Sequence, residues 1–305
     1  MDCFHMEYKS SLFRRNTMII ENIFLNHNIQ KWNGTYKNNE WTLLCGDAAQ
    51  SLQQLDDQSV HCIITSPPYY SLRDYGETGQ IGLEETVDEY IDVLCAVMDQ
   101  LYRVLKKDGL LFLNLGDTYY SGKGASHGKD EKSHKRRFGL RPVDKSGGLG
   151  INLCRKSIIG IPWRVAIEMT KRNWILRSPI IWHREKALPE SVKDRPHRSY
   201  EYIFMFAKDR KYYFNRQPFI DKQMDEDVWT IMPRPSGTKI NTAPYPDELV
   251  SRCLAIGCPN GGTVLDPFVG SGTTMKVSLE NGYHAIGIDL SQKFCQYVLK
   301  VLEDL

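Results

Sequence analysis

Thr263-Val264-Leu265-Asp266-Pro267-Phe268-Val269-Gly270-Ser271-Gly272-Thr273-Thr274, followed by Tyr283-His284-Ala285-Ile286-Gly287-Ile288-Asp289, is the stretch that decides the fold. Thr263 to Asp266 has the apolar, β-branched character of a buried strand, and Gly270-Ser271-Gly272 supplies permissive backbone where a strand turns into a helix. Thr273 to Asn281 can form that helix, with Gly282 ending it, and Tyr283 to Ile288 reads as a second strand closed by Asp289. Strand, glycine loop, helix, strand and acid is the layout with which α/β sheets hold a nucleoside, the last carboxylate on the ribose hydroxyls. Taken alone, the same residues also suit a plain glycine turn.

The spacing excludes two nucleotide sites. A phosphate-cradling loop needs a lysine after its last glycine, where Thr273 and Thr274 stand. The dinucleotide fingerprint needs a third glycine, where Met275 stands. A ligand without phosphates fits better. Asp266 at the strand end suits a cationic group, and S-adenosylmethionine carries both an ammonium and a sulfonium.

Far upstream lies Thr65-Ser66-Pro67-Pro68-Tyr69, directly after the apolar run Ser59 to Ile64. That run predicts a buried strand and places Ser66 past its carboxyl end, where open α/β sheets bind ligands. Two prolines remove two backbone donors and predict a rigid cluster of acceptors. The Ser66 hydroxyl and the Pro67 carbonyl could each accept one N–H of a nucleobase amino group, localising its lone pair, while Tyr69 stacks on the base. A Ser-Pro-Pro turn carrying a surface tyrosine is the plainer alternative for the tetrapeptide alone.

Together these motifs resemble the signatures of the amino-methylating DNA methyltransferases, a Ser/Asp-Pro-Pro-Tyr tetrapeptide and a glycine-rich cofactor loop. The resemblance runs from about Trp41 to the end of the chain. Leu44-Cys45-Gly46-Asp47 resembles the strand and acid before the catalytic motif, and Gly109 to Asp117 the central strand after it. Ser178 to Lys208 resembles the later strands, and Thr242-Ala243-Pro244-Tyr245-Pro246 the element that closes over the methionine end of the cofactor. Catalytic motif first and cofactor loop last is the circularly permuted order of the β group. The resemblance implies an α/β fold with a mostly parallel central sheet, helices on both faces (Rossmann-like), and a DNA-recognition insert between the motifs.

The same resemblance implies roles for individual residues. Ser66, Pro67, Pro68 and Tyr69 form the catalytic set. Asp47, Thr242, Ala243, Pro246, Asp266, Pro267, Phe268, Gly270, Ser271, Gly272, Thr273, Thr274 and Asp289 hold S-adenosylmethionine, with no metal. Serine at the first motif position usually accompanies cytosine-N4 methylation and aspartate adenine-N6, so Ser66 favours cytosine and leaves adenine as the alternative. No Pro-Cys dipeptide of the carbon-5 cytosine enzymes is present. A methyltransferase acting on RNA or a protein amide, and an inactive DNA-binding protein, are more distant alternatives.

The resemblance implies double-stranded DNA as partner, and the charge distribution favours a polyanion. Residues 121–160 hold ten Lys/Arg against three acids, +7 in a chain whose total is +2. Such a segment can order on phosphates, and it can equally be a solvated loop. Lys135, Arg136, Arg137, Arg141, Arg155 and Lys156 are the DNA contacts expected from it, joined by Arg234 from the expected target-recognition segment at 221–241. Residues 1–40 are expected to be an extension and 41–305 the methyltransferase domain.

At 305 residues with 41% hydrophobic content the chain can bury one large core. It shows no transmembrane run or secretory signal, and its eight cysteines lack C-x-x-C spacing, which predicts neither zinc nor disulfides. A cytoplasmic, reducing setting is the expectation, with a cognate restriction endonuclease, if one exists, acting separately.

Overall fold

The computed structural model describes residues 29–122, 142–145, 149–186, 190, 192–234 and 244–305. Nine strands form one sheet: β1 (Gln30–Tyr36), β2 (Asn39–Cys45), β3 (Val60–Thr65), β4 (Leu105–Leu115), β5 (Ile175–Arg184), β6 (Tyr200–Ala207), β7 (Val228–Ile231), β8 (Thr263–Asp266) and β9 (His284–Asp289). Their spatial order is β1-β2-β9-β8-β3-β4-β6-β5-β7. All neighbours are parallel except where β1 meets β2 and where β6 meets β4 and β5.

Seven helices lie in the described residues: α1 (Ala48–Leu52), α2 (Val87–Val104), α3 (Ile161–Lys171), α4 (Gln217–Ile220), α5 (Asp247–Gly257), α6 (Thr273–Glu280) and α7 (Gln292–Glu303). Alternation along the strands explains the two layers around the sheet. Ile63, Leu111, Leu113, Phe204 and Phe206 face a core completed by α1, α2 and α3. Cys62, Ile64, Leu110 and Phe112 face the opposite way, against Leu249, Val250, Cys253 and Leu254 of α5. On that second face α6 and α7 cover β2 and β9 through Met275, Leu279, Cys295 and Val298.

Local sequence sets the ends of the long crossover. Thr86 and Glu89 make a reciprocal capping box at the start of α2, with bonds of 3.2 and 3.0 Å. Such a cap contributes about 1 kcal/mol. Behind it, Tyr90, Ile91, Leu94, Met98 and Leu101 repeat at helical spacing and are buried. Pro179 sits within β5, but β7 pairs β5 only from Ile181 onward, so the missing N–H falls where the strand has a neighbour on one side only.

The decisive contact is between β8 and β3, parallel neighbours with Cys62 opposite Val264 and Ile63 opposite Leu265. From β8 the chain winds outward through α6 to β9; from β3 it winds the other way through α2 to β4. A crevice forms at the carboxyl ends of two strands whose connections diverge like this. Both motifs open into it. Residues 30–40, within the stretch expected to be an extension, supply β1 and the first two residues of β2 to an edge hairpin that runs on to Cys45. The segment expected to read DNA supplies β7, with Trp229 fully buried, and its residues 235–241 lie outside the described residues.

Candidate active site between strands β8 and β3

On the β8 side the chain turns through Pro267 to Gly272 into α6. Gly272 is the cap residue of that helix and has φ +83°, a left-handed conformation with no side-chain cap bond. Asp266 is buried and accepts four hydrogen bonds: Thr65 Oγ1 at 2.7 Å and the Phe268 amide at 3.1 Å reach Oδ1, while Thr274 Oγ1 at 2.6 Å and the Tyr245 hydroxyl at 2.8 Å reach Oδ2. Burial raises its carboxyl above the usual range, and these donors oppose that shift. The sequence suggests that Asp266 faces a cationic group; in the structure its four donors all come from the protein.

Asp289, at the end of β9, is held by the Gly270 and Ser291 amides, each at 2.9 Å. Burial pushes its carboxyl up to about 7. Each oxygen keeps a lone pair for a further donor. Asp47 is buried beside the crevice and caps α1 by accepting the Gln50 amide at 2.9 Å.

On the β3 side, Ser66 follows the last strand residue, as expected. Its hydroxyl donates to the Tyr69 hydroxyl at 3.2 Å, and the latter lies 2.7 Å from Glu201 Oε2 and 3.1 Å from Asn114 Oδ1. The acceptor cluster is smaller than the two prolines predict. The Tyr90 hydroxyl of α2 takes the Pro68 carbonyl at 2.9 Å, a tertiary donor that local sequence does not reveal. Ser66 Oγ and the Pro67 carbonyl remain as acceptors among the described residues.

The crevice has a volume of about 1030 Å³ and is lined by Ser66, Pro67, Pro68 and Tyr69 together with Asp47, Asp266, Pro267, Phe268, Gly270, Ser271, Thr273 and Asp289. Residues separated by about two thirds of the chain thus share one wall. Gly272 and Thr274 act from behind it, Gly272 as the helix cap and Thr274 through Asp266. Pro246 is the cap residue of α5, and Pro244 and Tyr245 line the crevice; Thr242 and Ala243 lie outside the described residues.

Of the basic residues singled out, Lys135, Arg136, Arg137 and Arg141 lie outside the described residues. Arg155 and Lys156 are exposed, and Lys156 pairs with Asp194 at 2.5 Å. Arg234 lines the crevice, ion-paired with Asp247 and 3.4 Å from Thr273 Oγ1.

Sequence reasoning gives no individual role to Thr65, Asn114, Glu201, Tyr245, Tyr75 or Phe294. Asn114 and Glu201 carry a detectable signal, each a polar residue within an apolar strand, where burial demands a partner. Tyr75 and Phe294, whose rings meet edge-on at 6.0 Å, carry none because they pack from distant parts of the chain. Among the described residues no group of three or more His, Cys, Asp or Glu is placed to hold a metal ion, and no helix is long and apolar enough to cross a membrane.

A family described as "DNA methylase" matches residues 60–300. The type II methyltransferase M.SmaI of Serratia marcescens is 40% identical over 260 residues, 83% of this chain and 87% of that protein. M.Cfr9I of Citrobacter freundii is 38% identical over 269 residues, 86% and 87% of the two chains. Among solved structures, the PvuII DNA methyltransferase, named cytosine-N4-specific, shares the fold with a TM-score of 0.66 at 17% identity, covering 90% of each chain. A putative DNA modification methylase of Thermus thermophilus, complexed with S-adenosyl-L-methionine, superposes at 0.56 with 24% identity over 85% of this chain and 94% of its own.

Proposed function

The chain belongs to the DNA methylase family, and from that membership we propose that it moves a methyl group from S-adenosylmethionine directly to the exocyclic N4 of cytosine in duplex DNA. The observation that carries the proposal is the shared crevice, lined by the Ser-Pro-Pro-Tyr motif, the glycine loop and the carboxylates Asp47, Asp266 and Asp289.

The residues present fit the cofactor. The glycine turn from Gly270 to Gly272 would let backbone approach the cofactor, Asp289 retains lone pairs for ribose hydroxyls, and Asp47 and Phe268, which line the same crevice, are assigned to the adenine. No phosphate-binding lysine intrudes, in keeping with a phosphate-free ligand. When bound, S-adenosylmethionine supplies a methyl group made electrophilic by its sulfonium. Asp266 serves the site by fixing the loop from beneath, through Thr65, Thr274 and Tyr245.

The target base must leave the duplex to reach the crevice floor. Ser66 Oγ and the Pro67 carbonyl then accept the two amino hydrogens and draw the nitrogen lone pair out of conjugation with the ring. Tyr69 offers a ring to the base. No covalent bond to the enzyme is required. Ser66 supports cytosine over adenine. For DNA, we assign phosphate contacts to the basic insert at 121–160, Arg155 and Lys156 included, and sequence reading to 221–241 with Arg234 at its crevice edge. Names of the relatives as type II methyltransferases support a modification role, which we place in the cytoplasm, alongside any restriction enzyme that shares the site.

Incubation with methyl-labelled cofactor and mixed-sequence duplex tests the proposal: label should enter DNA. Ser66→Ala should lower transfer by about 10²-fold or more while cofactor binding persists. Label confined to RNA or protein would contradict the DNA substrate.

A further inference from the structure

We infer that Glu201 is the terminal acceptor of the proton shed by the target amino group, reached through the hydroxyls of Ser66 and Tyr69. This rests on the proposed placement of that amino group at Ser66.

The path is continuous and directional. Ser66 Oγ donates to Tyr69 at 3.2 Å, and the Tyr69 hydroxyl lies 2.7 Å from Glu201 Oε2. The Asn114 amide group is oriented by its 3.0 Å bond to the Tyr202 carbonyl, which turns its Oδ1 toward Tyr69 at 3.1 Å. Tyr69 has one hydrogen and two acceptors, and the closer, charged one takes it. Burial, and then the Glu201 charge, hold the Tyr69 hydroxyl well above its ordinary pKa, so it passes a proton on without itself ionising. Arg184, 3.3 Å from Glu201 Oε1, anchors the far oxygen and offsets its charge.

Two other cleft carboxylates are committed elsewhere. Asp266 is bonded to four protein donors, and Asp117 accepts the amides of Thr118, Gly160 and Ile161 at the start of α3.

The chemistry balances with Glu201 as base. As the N–CH₃ bond forms and the methyl–sulfur bond breaks, the electron pair of the broken bond stays on sulfur. The nitrogen then carries one proton too many. That proton passes to Ser66 Oγ, the Ser66 proton to Tyr69 and the Tyr69 proton to the Glu201 carboxylate. The sulfonium charge and the carboxylate charge disappear together, and the protonated acid, which also lines the crevice, returns its proton to water.

Single-turnover transfer by the full chain tests this with Tyr69→Phe, Glu201→Gln and Glu201→Asp. The first two should slow the transfer step about 10²-fold, the usual size of a general-base contribution, with DNA and cofactor dissociation constants unchanged. Glu201→Asp should restore part of the loss. In H₂O/D₂O mixtures the wild-type rate should curve, reporting several protons in flight, and Tyr69→Phe should abolish the curvature. Without substrates, Glu201→Gln should lower the pH at which Tyr69 ionises in ultraviolet titration, the signal being assigned by its loss in Tyr69→Phe. Wild-type activity with an unaffected Glu201→Gln rate and isotope profile would overturn the relay alone. Failure of the wild type to label DNA would overturn the proposed function and the relay with it.

Discussion

The Thr65 hydroxyl donates a 2.7 Å hydrogen bond to Asp266 Oδ1, joining residues 201 apart in the chain. Thr65 precedes Ser66 directly, and Asp266 begins the glycine loop, so this buried contact ties together the proposed amino-holding and cofactor-holding halves of the site. Tyr245 and Thr274 occupy the other oxygen of the same carboxylate. Thr65→Val keeps the shape but leaves Asp266 Oδ1 with the Phe268 amide alone. The expected cost is about 1–3 kcal/mol in denaturant unfolding, with weaker cofactor binding by calorimetry.

Asp289 should make cofactor affinity depend on pH. Burial holds its carboxyl at about 7, and ribose hydroxyls donate best to the ionised form, so binding releases a proton. Affinity should be about tenfold lower at pH 6 than at pH 8, and Asp289→Asn should flatten the profile as well as weaken binding. For stability the sign is opposite. Between about pH 4 and 7 the folded protein keeps a proton that the unfolded chain has lost, so this group favours folding less as pH rises through that window. Titration calorimetry across pH, in buffers of different ionisation enthalpy, reads the proton release directly.

Gly272 holds φ +83° at the start of α6, and a Cβ there would meet Val298 at 3.3 Å. Gly272→Ala should cost about 1–2 kcal/mol from backbone strain. Because the same residue shapes the proposed cofactor loop, equilibrium unfolding and cofactor titration should both register the change.

Arg155 and Lys156 are exposed and are proposed to meet DNA phosphates. If each contacts a phosphate, the Arg155→Ala, Lys156→Ala double variant should weaken binding similarly for all sequences and reduce the salt slope by about 2. Fluorescence anisotropy at several salt concentrations measures that slope, and an unchanged slope would remove both residues from the interface.

The parts legible in the sequence are those whose physics is local. The run from Thr263 to Asp289 shows strand, glycine turn, helix and acid in contiguous order, and the structure forms them nearly residue for residue. Ser66 past the end of a buried strand is equally local. The illegible parts depend on partners brought together by the sheet. Tyr69 meets Glu201 across 132 residues and Asn114 across 45, and Tyr90 reaches the Pro68 carbonyl from α2. Val228–Ile231 shows the limit in another way. Its four residues are too few for a clear period, and only pairing with β5 makes them a strand.

The most direct measurement is nucleoside analysis of duplex DNA after incubation with the protein and S-adenosylmethionine. A hydroxyl at the first motif position, a carbonyl beside it and a crevice shared with the glycine loop predict N4-methylcytosine as the modified nucleoside, absent when Ser66 is replaced by alanine. N6-methyladenine in its place would contradict the assignment of the target base, and unmodified DNA would contradict the account of the site.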